Sequence, residues 1–195
     1  MQLRSFFVCA AAAACLAGAA PAAAEIECEN RNVNIPATTP TSVFDIHGDG
    51  TVTDRRTQLQ WMRCHLGQTW ANGTCEGLGP TYDWQGALQA AADVNSGASD
   101  VDGDGQTGFA GYTDWRVPNM AELWTIVEFS CYSPPINELL FPRTTAQYWA
   151  STPSPQSRSL GRAAWRINLS SSSSDDYVSA AVDNAMRVRL VRDAQ

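Results

Sequence analysis

Asp100, Asp102 and Asp104 stand at alternate positions and are closed by Gly105, the arrangement by which a tight loop gathers oxygens around calcium. The carbonyl of Gln106 is the next ligand such a loop would supply. Its twelfth position needs a bidentate Asp or Glu and holds Gly111 instead, so Asp114 closes the shell only if the backbone bulges. The competing reading is a solvated acidic turn, because Asp and Gly favour bends on their own account. Directly after this loop, Tyr112 and Arg116 offer a second chemistry: aromatic faces stack on sugar rings, and guanidinium forks bind carboxylate or sulfate. The alternative is that Trp115 is core and Arg116 pairs with a carboxylate. Trp70 lies in a polar stretch between two cysteines and is the single aromatic best placed for ligand contact.

Catalysis finds less support. His47 and His65 follow no nucleophile pattern, and neither G-x-S-x-G nor H-E-x-x-H occurs. An enzyme would have to bring one of these histidines to aspartates in a cleft. Asp45, Asp49 and Asp54 in "FDIHGDGTVTD" have the wrong spacing for a calcium loop and read as a hairpin turn around Gly48 and Gly50.

The elements that must position these groups follow from periodicity. "TVTDRRTQLQWMR" reads as two short strands around a turn at Asp54, Arg55 and Arg56, and "GQTWANGTCEG" as a loop. From the N-cap Asp83, the residues Trp84, Ala87, Leu88, Ala91 and Val94 fall at helical spacing up to Gly97. Asn119 and Glu122 form a capping box for a second helix that carries Leu123, Ile126 and Val127 and closes at Cys131. "QYWAST", "AAWRINL" and "AMRVRLVR" alternate at period two, with a flexible tip at Ser170–Ser174. Two helices packed on short antiparallel strands make one α+β domain.

The N-terminus is expected to be a signal peptide over residues 1–24: Arg4, an apolar run from Phe6 to Ala20, and small residues before Glu25. A polar arm then covers 25–42 and the domain 43–195. Export leaves Cys28, Cys64, Cys75 and Cys131 in an oxidising compartment, where two disulfides are the default. Cys64 with Cys75 suits a stapled loop, and Cys28 with Cys131 would then tie the arm to the core. Twenty acidic residues against thirteen basic ones give a net charge of −7, which argues against nucleic acid as a partner. After cleavage no span remains to cross a membrane.

"DGTVTDRRTQLQWMRC", "GYTDWRVPNMAEL", "PPINELLFP", "YWAST" and "RVRLVR" occur in this order and resemble the Lcl C-terminal-domain family, a domain of unknown function, over residues 43 to 192. The resemblance implies a C-type-lectin-like α+β fold related to formylglycine-generating enzymes, in an exported or surface-attached bacterial protein. Some relatives resemble adhesins that bind sulfated or other polysaccharides. The cysteines here match no redox or copper motif of those enzymes, and the acidic loop looks like added length. The expectation is a secreted or periplasmic, non-catalytic domain that recognises extracellular polysaccharide or an envelope protein, with calcium as the one cofactor to test. An assembly module of the envelope and an enzyme of the same descent are the rivals.

Overall fold

In the computed structural model, residues 26–155, 162–170 and 177–194 are described. The expected signal segment, residues 1–24, and most of the serine-rich tip lie outside these residues.

Strands β1 (Phe44–Ile46) and β2 (Thr51–Asp54) form a hairpin whose turn is held by Asp49, which accepts hydrogen bonds from the backbone and hydroxyl of Thr51. Strand β3 (Leu59–Met62) returns against β2, and β9 (Val191–Asp193) from the far end of the chain pairs with β3, giving the order β1-β2-β3-β9, all antiparallel. Val52, Trp61 and Val191 stand in register and are fully buried on one face. The pleat sends the neighbouring row to the other face.

Between them, the stretch read as a loop is a small hairpin of β4 (Thr69–Ala71) and β5 (Thr74–Glu76). Asn72 and Gly73 both take left-handed backbone angles, φ 53° and 79°, the pair that a two-residue hairpin turn requires. The Asn-Gly signal was present in the sequence, but the flanking runs are too short to show alternation.

Helix α1 (Trp84–Ser96) begins at Asp83, which accepts from the Gly86 amide, and ends at left-handed Gly97. Its buried stripe is Ala87, Ala90, Ala91 and Val94, whereas Leu88 is at the surface. Helix α2 (Met120–Trp124) has the capping box of Asn119 and Glu122 but is only five residues long and stops well short of Cys131. Ile126 and Val127 are buried all the same, because the chain leaves the helix to bridge Val127 to Ile136.

A second sheet has the order β6-β7-β8, made of Gln147–Pro153, Ala163–Asn168 and Tyr177–Ala181. Strand β8 went unrecognised in the sequence. "AMRVRLVR" contributes a strand only at its last residues. Met186, Val188 and Leu190 do point inward, yet their backbone is spent on single bridges, Tyr82 to Met186 and Tyr148 to Arg187. One core cluster holds Trp61, Leu123, Phe141 and Tyr148; another, beneath α1, holds Met62, Trp115, Trp149 and Leu190.

Both disulfides pair as the spacing suggests, Cys28 with Cys131 and Cys64 with Cys75. The arm is anchored on both sides of residues 31–36, which are exposed. Beyond its disulfide, it wraps the carboxylate of Glu128, which is fully buried and accepts from the amides of Thr38, Thr39 and Ser130 and from the hydroxyls of Thr39 and Ser130. Antiparallel sheets, two helices and two disulfides place the domain in the α+β class. Among the described residues no helix is long and apolar enough to cross a membrane.

Candidate functional site

On the outer face of the four-stranded sheet, Asp45, Thr53, Gln60 and Arg192 are directly paired across neighbouring strands and form one polar row. Opposed side chains on one face of an antiparallel pair lie close enough to interact. Here they do. Gln60 donates to the Thr51 hydroxyl at 2.9 Å and accepts from Arg192 Nη1 at 2.5 Å. His47 sits one pleat along from Asp45, with Nε2 2.9 Å from the Thr53 hydroxyl. Asp45 takes Nη1 of Arg55 at 2.5 Å. These residues, with Asp49 and Tyr112, line an open groove of about 530 Å³.

Tyr112 closes the β9 end. Phe109 and Tyr112 bond to each other through both backbone pairs, so residues 109–112 form a tight turn. Gly108 makes this turn fit: its φ is 94°, and a Cβ there would collide with the Tyr112 carbonyl. The Tyr112 ring packs on the Arg192 guanidinium, 3.8 Å from its centre, and stays 39% exposed. Arg192 itself is buried, and its Nε and Nη2 are held by Asp114 at 2.6 and 3.2 Å. The hydrogen bond from Arg192 is the largest influence on Asp114 and holds its carboxyl below the usual range.

Asp114 is therefore committed to Arg192, and the acidic loop gathers without it. Asp100, Asp102 and Asp104 each present an oxygen, all within 4.8 Å of one another. Asp100 accepts from the amides of Gly103 and Gly105, and Asp104 from the amide of Gln106. Asp102 reaches the Ala110 amide with one oxygen, while its Oδ1 is buried and has no hydrogen-bond partner among the described residues. Burial first, and then the neighbouring Asp104 charge, push the Asp102 carboxyl up. The loop thereby leans on the turn that presents Tyr112.

The other sequence candidates lie elsewhere. Arg116 is bound bidentately by Glu122 at 2.7 and 2.8 Å and by Asp193 at 2.7 Å, which raises its pKa and ties α2 to β9. Trp70 is half-buried beneath the Arg63 guanidinium, 3.9 Å from its ring centre, and does not line the groove. His65 is buried between the Leu78 carbonyl and the Tyr148 hydroxyl; burial, opposed by that carbonyl and helped by the charges of Arg189 and Arg187, lowers its pKa to about 4. Only His47 shares a groove with aspartates, Asp45 and Asp49, and among the described residues no carboxylate bonds to its ring.

Thr53, Gln60 and Arg192 escaped sequence reasoning because none is chemically unusual alone. Their signal was registration: in each strand the polar position alternates with a core residue. No curated protein matches this chain. The model of the Lcl C-terminal domain matches residues 50–192, from the turn that opens β2 to the arginine at the end of the polar row, and the chain belongs to this family.

Proposed function

We propose that this domain is an exported, non-catalytic binding module whose ligand, an extracellular polysaccharide, occupies the groove on the outer face of the four-stranded sheet. The observation that carries this is the polar row of Asp45, Thr53, Gln60 and Arg192, capped by the exposed ring of Tyr112. Planar polar side chains fixed by one another and flanked by an aromatic ring suit hydroxyl-rich rings, which need many oriented donors and acceptors together with a stacking face. Nucleophilic use of Thr53 would require His47 to be oriented by a second group, whereas among the described residues the hydrogen bond made by its ring is to Thr53 itself. A C-type-lectin-like reading of the fold agrees with this role.

Calcium at the acidic loop is a second reading, favoured by the orphan oxygen of Asp102 among three convergent carboxylates. A dication would offset the burial and the Asp104 repulsion that raise the Asp102 pKa, and Asp100, Asp102 and Asp104 with the Gln106 carbonyl would hold it. Through Ala110 it would stiffen the Tyr112 turn.

A glycan array probed with the oxidised domain, with and without calcium, tests both. Binding that is lost in His47→Ala and Tyr112→Ala supports the groove, and binding unaffected by either refutes it. Calcium dependence that vanishes in Asp102→Asn supports the loop site. Equal binding with and without the ion, with no calorimetric heat from calcium, refutes it.

A further inference from the structure

Resting on the reading of the groove as a saccharide site, we infer that its ligand is a linear, uncharged glycan laid across the strands, about three sugar units long. Direction comes from the register. The row runs perpendicular to the chain direction, from Asp45 on β1 through Thr53 and Gln60 to Arg192 on β9. Four strands span three intervals, roughly 14 Å in all at ~4.8 Å each. One pyranose ring with its glycosidic oxygen, in an extended β-linked chain, is comparable in length to that inter-strand spacing. Each interval can therefore meet one ring, with a polar side chain between consecutive rings and Tyr112 at the terminal one.

Charge selects the class. The groove and its wall hold two arginines, Arg55 and Arg192, against three aspartates, Asp45, Asp49 and Asp114. Both guanidinium forks already face carboxylates: Arg55 that of Asp45, with Ser42 beside it, and Arg192 that of Asp114, with Gln60 beside it. A sulfate or uronate entering here would have to displace an internal ion pair and then lie against surplus negative charge, in a chain of net −7. A neutral hydroxyl meets no such barrier. It can donate to an aspartate oxygen or accept from an amide while leaving every pair intact.

The experiment titrates the oxidised exported chain with uncharged β-linked gluco- and manno-oligosaccharides from disaccharide to hexasaccharide. Heparin and hyaluronan fragments of matched length are run beside them, followed by amide chemical shifts. The expected result is affinity that rises up to a tri- or tetrasaccharide and then levels, unchanged by added salt. Shifts should centre on Thr53, Gln60 and Tyr112. Thr53→Val should weaken binding about fivefold, the worth of one hydrogen bond, with the melting temperature lowered only by the few degrees that losing the His47 contact costs. Tighter, salt-sensitive binding of the acidic fragments at these same amides overturns the uncharged class but leaves the groove reading standing. A disaccharide that binds as well as a hexasaccharide overturns the orientation. Failure of every saccharide to move these amides overturns both readings.

Discussion

Replacing Glu128 with glutamine is the sharpest test of how the arm is held. The carboxylate is fully buried, and both oxygens face only donors. Oε1 accepts from Ser130 N at 2.9 Å and Ser130 Oγ at 2.6 Å; Oε2 accepts from Thr39 N at 2.6 Å and Thr39 Oγ1 at 2.9 Å; Thr38 N sits between them at 3.1 and 3.0 Å. Glutamine keeps the shape but turns one oxygen into an amino group. The hydroxyls can rotate to accept from it; a backbone amide cannot. In either orientation one buried N–H is orphaned, at about 1–3 kcal/mol, and the remaining bonds lose their charge assistance. The sum is about 2–4 kcal/mol, a melting point lower by about 10 °C in a domain of this size. Burial alone would raise the Glu128 pKa, but the bonds from Ser130, Thr39 and Thr38 outweigh it and hold it below 4.5. The unfolded chain therefore binds the extra proton first. The stabilisation is full above the unfolded pKa and is lost as pH falls through the folded one, so the gap between wild type and variant should close in acid. Urea titrations of oxidised protein, followed by tryptophan fluorescence at neutral and acidic pH, measure it. A gap under about 0.5 kcal/mol at neutral pH, or one that stays constant into acid, would refute the reasoning.

Three further outcomes are expected. His65, with its pKa lowered from 6.5 to about 4, is neutral in the folded state while the unfolded chain takes up a proton below 6.5. Stability should therefore fall by about 3 kcal/mol between pH 6.5 and 4, and an NMR titration of the ring with a midpoint near 6.5 would show that burial does not govern it. The disulfides should differ in worth. Cys28–Cys131 closes a separation of 103 residues and Cys64–Cys75 one of 11, so the paired Cys→Ala variants should lose about 4–5 and about 3 kcal/mol respectively; equal losses in denaturant titrations would contradict the loop-entropy account. Asp114→Asn should weaken the hold on buried Arg192 by about 1–2 kcal/mol and broaden the Tyr112 ring resonances, and an unchanged Tyr112 spectrum would separate that ring from the ion pair.

What the sequence could show depended on whether a feature is local. Asp83 and Asn119 cap helices within three residues of themselves, and Cys64 staples a loop that also contains its partner, so each was legible from spacing alone. Strand β8 and the end of α2 were not, because both are decided by distant partners: β8 by pairing with β7, and the exit from α2 by the bridge between Val127 and Ile136. The site divides along the same line. Tyr112 stands out in the sequence because it is aromatic, and the structure sets its ring over Arg192 at the edge of the groove. Arg116, as conspicuous to the eye, is consumed by Glu122 and Asp193, and Asp114, sought for calcium, serves Arg192. The groove is assembled from strands more than a hundred residues apart in sequence, joined where Gln60 meets Arg192. Threonine and glutamine at its centre carry no chemical distinction until register lines them up. A polar row across a sheet is thus a long-range property. It can be read from a sequence only once strand order is known, since a one-residue slip in β9 would bury Arg192 in the core and turn Val191 into the groove.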